Sequence, residues 1–214
     1  MCFSSFTVFY SVTCFLRLYK LLIAAAMKEK FIEMMIADYE QLFHIPRETY
    51  DKVIPHLRLV QKQRGEFLKR EGEVEKVSRY LCDGFIGYYR STPSGLSLFA
   101  IYQPTDAVFD LESYRTGQPS QAQIKAISPV SYLEFSIDSE IDLVTKDAGL
   151  MRLALAVNQR VTQRQARVLE ISKMGFEVGY PILMKEFKGL AAEISNSDLG
   201  SFFNYSVRSV IRHK

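Results

Sequence analysis

The sequence contains no tryptophan and only three cysteines, Cys2, Cys14 and Cys82, with no CxxC spacing among them. That excludes a disulfide framework and offers no zinc or iron–sulfur pattern; it fits a reducing, cytoplasmic compartment. Histidine is equally sparse, and His44, His56 and His213 lie too far apart to read as a metal cluster. A metal-dependent β-roll enzyme would need several His and carboxylate ligands on inward-facing strand positions. Two of the histidines precede the strand-rich region and the third ends the chain, so no enzymatic activity, metal or cofactor is expected. Long apolar runs are missing too. Phe3 to Leu16 is apolar and aromatic, but Arg17 and Lys20 interrupt it before about 18 uncharged residues accumulate, which disfavours a membrane span. The charges follow that stretch instead of preceding it, the wrong order for a signal peptide despite Ala24-Ala25-Ala26. Residues 1–26 read as an extension upstream of a native start at Met27, with a membrane anchor as the alternative; no membrane partner is expected.

What is present is a folded composition: 214 residues, 48% of them hydrophobic, enough to bury a core. The net charge of +3 conceals an asymmetry, because residues 1–151 carry 17 Lys/Arg against 19 Asp/Glu and residues 152–214 carry 10 against 5. A basic end on a slightly acidic body is what phosphate neutralisation by that end requires.

Residues 28–43 space Phe31, Met34, Met35, Ala37, Leu42 and Phe43 as a helix, which Pro46 ends, and a short second helix is predicted over 47–54. From Leu57 to Phe135 short apolar runs alternate with turn residues, the pattern of a compact all-β unit. Gly65, Gly72, Gly84 and Gly95 recur at intervals of 7, 12 and 11 residues, which suits corners that need positive φ. Ala122, Ile124 and Ala126 alternate as a half-buried strand, and Val130 to Phe135 forms the last one. From 139 to 174 no proline appears, and one long helix is predicted, roughly 50 Å at 1.5 Å per residue. Ile141, Val144, Ala148, Met151, Leu155, Val161, Val168, Leu169 and Ile171 form one stripe, and Leu150, Leu153 and Val157 a second. One face can pack on the β unit while the other meets a partner helix in a homodimer. Gly175, Gly179 and Pro181 then predict a hinge.

Ser195-Asn196-Ser197-Asp198 has the form of a capped helix start, with Leu199, Phe202 and Phe203 directed inward. Asn204 stands where a left-handed turn residue is needed, and Ser206 opens a second helix that buries Val210. These are the demands of a helix-turn-helix, with Gly200 as its small residue. In that register Ser206, Val207, Arg208, Ser209 and Arg212 reach toward double-stranded DNA, the two arginines pairing with guanine or neutralising phosphate.

Taken together, residues 28–214 resemble the Crp/Fnr superfamily of bacterial transcription regulators. The likeness runs through Lys62-Gln63-Arg64-Gly65-Glu66-Phe67-Leu68, Glu71-Gly72, Tyr80 to Gly84, Gly95, Phe99 and Pro104, and through Ile194 to Arg212. It implies an α+β chain: an N-terminal double-stranded β-helix (a cyclic-nucleotide-binding-like β-roll, 27–138), a dimerisation helix (139–174) and a small all-α helix-turn-helix domain (175–214). It also places an effector pocket around Asp110, Glu112, Ser113, Arg115, Ser120 and Gln121. Members that bind cyclic AMP carry Gly-Glu-Leu and then Arg-Ser-Ala, whose Arg and Ser hold the cyclic phosphate. Here Phe109-Asp110-Leu111 and Ser120-Gln121-Ala122 stand instead, so ordinary cyclic AMP binding is not expected. Arg115 is a candidate substitute cation, and any small-molecule effector is unidentified. No iron–sulfur or haem ligand set is present. The family's Arg-Glu pair opening the recognition helix is Val207-Arg208, His213 replaces an expected apolar residue, and no wing hairpin follows before Lys214. The alternative is a degenerate dimer of this kind that acts as a protein-interaction module without DNA binding.

Overall fold

The computed structural model describes the backbone of residues 5–93 and 95–214, and the side chains of Tyr19 and of residues 22–93 and 95–214. Helix α1 (Ser5–Tyr39) runs unbroken through Met27, so the helix expected over 28–43 is the last part of a longer one and stops four residues earlier. Helix α2 (Arg47–Val53) follows, with extended Pro46 at its N-cap, and a short 3-10 turn, Ile54–His56, leads into the strands. Cys2 lies outside the described residues.

The strand-rich region forms two four-stranded antiparallel sheets. Strands β1 (Arg58–Lys62), β3 (Val77–Asp83), β6 (Ala107–Val108) and β8 (Val130–Ser136) pair in the order β1-β8-β3-β6. Strands β2 (Phe67–Lys69), β4 (Ile86–Thr92), β5 (Gly95–Tyr102) and β7 (Ala122–Ala126) pair as β2-β7-β4-β5. Helix α3 (Leu111–Thr116) connects β6 to β7. Period-two alternation decides what each face does. Leu81, Ile86, Ile124 and Tyr132 fill the space between the sheets, whereas Tyr80, Cys82 and Leu133 turn outward beneath α1 and α2. The glycine corners have positive φ as their spacing predicts, and at Gly84 (φ +83°) a Cβ would lie 2.1 Å from the Pro129 carbonyl oxygen.

The helix expected over 139–174 is two helices, α4 (Ile137–Lys146) and α5 (Ala148–Lys173). Asp147 makes the break: its backbone is extended (φ −135°, ψ 112°), and its carboxylate accepts from the amides of Gly149 at 2.9 Å and Leu150 at 3.3 Å. Leu150 and Leu153 pack on the outer face of the first sheet. Val161, Val168 and Ile171 of the first stripe are buried in the chain's own core. Ile141, Met151, Leu155 and Leu169 remain exposed.

Helices α6 (Phe176–Glu186), α7 (Leu190–Glu193), α8 (Asn196–Phe203) and α9 (Val207–His213) complete the chain. Of the three expected hinge residues only Gly175 (φ +75°) stands at a break; Gly179 and Pro181 lie inside α6. One core cluster joins Phe176, Leu183, Leu199 and Phe203 to Phe85, Leu98 and Ile101 of the second sheet's outer side. Each such buried side chain contributes about 1.5–3 kcal/mol. The amide of Leu98 donates to Ser201 Oγ at 3.0 Å, and Arg64 donates to the Glu193 carbonyl at 2.6 Å. The C-terminal helices therefore rest on the roll.

Candidate functional site

Two places gather the residues singled out by the sequence. The first is the α8–α9 hairpin. Ser195 caps α8 by accepting from the Asp198 amide at 3.0 Å, and Leu199, Phe202 and Phe203 are buried. Asn204 adopts the left-handed conformation (φ 54°, ψ 45°), and at Gly200 a Cβ would lie 2.7 Å from the Tyr205 carbonyl oxygen. That turn thus needs an Asn-like residue and a small one at the expected positions. Ser206 caps α9 by accepting from the Ser209 amide at 3.1 Å, and Val210 is fully buried. The outer side of α9 presents Val207, Arg208, Ile211 and Arg212 to solvent. Neither Arg208 nor Arg212 makes a hydrogen bond or ion pair among the described residues. His213 is used locally: its Nδ1 lies 2.8 Å from the Ser209 carbonyl oxygen, and its ring meets Tyr205 edge-on.

The second place is the interior of the roll beside α3. Asp110 is the N-cap of α3, accepting from the Ser113 amide at 3.2 Å. Its carboxylate also accepts from the Ser120 hydroxyl and from Tyr88 Oη at 3.2 Å, with Lys69 Nζ at 3.9 Å. Burial favours the neutral acid, but these donors and the lysine outweigh it and hold the Asp110 carboxyl below the usual range. Around it lie Lys69, which donates to the Ala122 carbonyl at 3.0 Å, and Arg79, which donates to Glu75 at 3.1 Å; all four charged residues are at most 5% exposed. Two cations and two carboxylates leave the cluster neutral, and Glu75 additionally accepts from the Asp110 amide at 3.2 Å. Of the six expected pocket residues, Asp110, Ser113 and Ser120 come together here. Glu112, Arg115 and Gln121 lie on the exposed side of the segment.

Sequence reasoning missed Lys69, Glu75 and Arg79. The available signal was a charged residue within an otherwise uncharged strand, Arg79 between Ser78 and Tyr80-Leu81-Cys82. It also missed a clamp between α5 and the β5–β6 loop. Arg164 pairs with buried Asp106 and donates to Thr105 Oγ1 at 3.0 Å, while Arg160 donates to the Thr105 carbonyl at 3.1 Å and to Asp38 of α1 at 2.9 Å. Among the described residues no group of three or more His, Cys, Asp or Glu side chains could hold a metal ion, and no helix is long and apolar enough to cross a membrane.

A roll of two four-stranded sheets, a long helix on its flank and a terminal helical hairpin make a cyclic-nucleotide-binding-like fold. The chain is similar to FixK2 from Bradyrhizobium japonicum (14% identity, TM-score 0.60, 73% of this chain and 82% of that one). It is also similar to CLP, described as a c-di-GMP-responsive global regulator of Xanthomonas campestris (11%, TM-score 0.59, 78% and 89%). A cyclic nucleotide-binding domain from Methylobacillus flagellatus aligns as well (16%, TM-score 0.56, 75% and 86%). At such identities the likeness carries the fold alone. No protein-family model and no curated protein matches the sequence.

Proposed function

We propose that this chain is a homodimeric DNA-binding transcription regulator of the Crp/Fnr type whose roll does not bind cyclic AMP in the usual way. The observation that carries the DNA reading is the outer side of α9. Two exposed arginines without a hydrogen bond or ion pair among the described residues stand there on a helix held by a capped hairpin. In a structure where most other arginines are paired, uncommitted guanidiniums are available for phosphate or guanine. Ser206, Val207, Arg208, Ser209 and Arg212 are the proposed contact set, with Lys185 and Lys188 adding backbone affinity.

The test is selection from a random duplex library. The expected product is a two-fold symmetric motif with half-sites about 10–10.5 base pairs apart, or a multiple of it. Arg208→Ala should cost about 1–3 kcal/mol on that motif and relax one base position if the arginine reads guanine. A uniform loss with the salt slope reduced by roughly one would make it a phosphate contact. Absence of any enriched motif, with weak binding unchanged in an Arg208→Ala/Arg212→Ala variant, would favour the partner-binding module.

The cyclic AMP reading rests on the buried cluster: Asp110, an anion of the protein itself, already takes the donors that ring the α3 segment. A second anion there would face that carboxylate and Glu75. Calorimetry is expected to detect no cyclic AMP binding below about 100 μM, and low-micromolar binding would overturn this part.

A further inference from the structure

Outside the roll, between the outer face of the β1-β8-β3-β6 sheet and helices α1, α2, α4 and α5, lies a cavity of about 270 Å³. It adjoins the buried ion cluster at Arg79, but its sheet wall is the outer face, because Tyr80 and Leu133 face it from strands whose neighbours Leu81 and Tyr132 face the roll interior. Its walls are chiefly apolar, with Leu133 and Phe135 from the sheet and Leu150, Leu153 and Val157 from α5.

The polar groups on the wall set the chemistry of that occupant. Three charged residues line the cavity, Arg79, Arg115 and Glu140. Arg79 is committed to Glu75, and Glu140 accepts the hydroxyl of Tyr114. Arg115, exposed at the α3 end, makes no hydrogen bond or ion pair among the described residues. Tyr50, 2% exposed, lines the same space, with the Glu40 carboxylate beside its hydroxyl. An apolar chamber with one uncommitted cation beside it matches an apolar body carrying one anionic group. At about 30 Å³ for a water-sized group, 270 Å³ accommodates about nine such groups.

We propose that this cavity binds a medium-chain monocarboxylate of about eight to ten carbons, its tail against Leu150, Leu153 and Val157 and its carboxylate on Arg115. Because α5 forms one wall and turns Met151 and Leu155 the other way, an occupant bears on the helix assigned to the dimer. That effector role rests on the regulator reading above; the binding does not, and its test is independent of DNA.

Equilibrium dialysis of the full chain against labelled decanoate is expected to give saturable one-to-one binding below 1 mM, an order-of-magnitude bound for a ligand of about this size. Decanol should bind more weakly. Arg115→Ala should weaken decanoate about tenfold and leave decanol unchanged, since it removes a charge-assisted bond and nothing else. Ala154→Phe, which fills the cavity from α5, should abolish binding of both while circular dichroism shows the fold retained. Decanoate that fails to bind, that binds Arg115→Ala as tightly as the unaltered chain, or that still binds folded Ala154→Phe overturns the proposal. Should Ala154→Phe not fold, the Arg115→Ala comparison decides alone, because that side chain is exposed and its loss leaves the core intact.

Discussion

Thr105 has φ +76°, a conformation that costs a β-branched residue about 1–3 kcal/mol, and it is held there from α5 by Arg160 and Arg164. The same clamp governs Asp106. Burial pushes the Asp106 carboxyl above its ordinary value, and Arg164 and the Gln103 amide pull it partly back. An acid whose folded pKa lies above its unfolded value destabilises the fold as pH rises through that folded value, because the native state binds the extra proton. Arg164→Ala removes the main opposing charge, so it raises the carboxyl further. Half-exposed Arg164 tempers the cost to about 1–3 kcal/mol at pH 7. Urea unfolding at pH 7 should show this loss and show it shrinking as the pH is lowered and the carboxyl takes up its proton; a loss that does not change down to the acid limit of folding would mean that Asp106 is not the group involved. None of this clamp was legible in the sequence, since Asp38, Thr105 and Arg160 meet only through tertiary packing. Asp110 and Ser120 were singled out there through the family resemblance, yet their mutual hydrogen bond depends on a loop closure that no local pattern encodes.

Gly179 shows how an element can be recognised and its residue misread. Beside Gly175 and Pro181 it looks like part of a hinge, but it lies within α6, where a Cβ would stand 2.5 Å from Phe203 Cε1 and 2.6 Å from the Ile171 carbonyl oxygen. Glycine is there to let α6 approach α5 and α8. In an exposed helix Gly→Ala would stabilise by about 1 kcal/mol; here overpacking should outweigh that gain and Gly179→Ala should destabilise by about 1–3 kcal/mol. Thermal denaturation gives the sign directly, and a raised Tm would mean that the helices have room to separate. Elements whose signal is local were readable: the alternating strand at Ala122–Ala126, the glycine corners and the two serine-capped helices of the hairpin. The break at Asp147 was not, although aspartate is a good N-cap, because the apolar period continues across it and outweighs one capping residue. The division of the first stripe into internal Val161, Val168 and Ile171 and exposed Met151, Leu155 and Leu169 has a similar origin. Periodicity identifies apolar stripes but not which body each one meets, and here the C-terminal helices and the roll supply a second internal partner.

At the scale of the whole molecule, the outward line of α5 is an exposed apolar stripe among the described residues. Met151 is 48% exposed, Leu155 65% and Leu169 50%, at spacings that keep them on one side of the helix. Thr162 and Ala166 continue the line between Leu155 and Leu169, so it is small or apolar over most of the helix. A second copy related by a two-fold axis would cover it with its own α5, residue against residue, and would set two α9 helices in the mirror-like spacing that a palindromic operator requires. Leu155, the most exposed of the three, is the place to break such a seam. A glutamate there would be buried against its own symmetry mate, two like charges without a cation, whereas in a monomer it would simply face water. The expected outcome is therefore specific: Leu155→Glu lowers the mass measured by light scattering from dimer to monomer at micromolar concentration, and it leaves the far-ultraviolet circular dichroism of the subunit unchanged. Affinity for a symmetric duplex should fall with it, because two half-sites are no longer bound as one unit, while affinity for an isolated half-site stays the same. A dimer that survives Leu155→Glu would locate the interface elsewhere on the molecule and would detach the two α9 helices from α5.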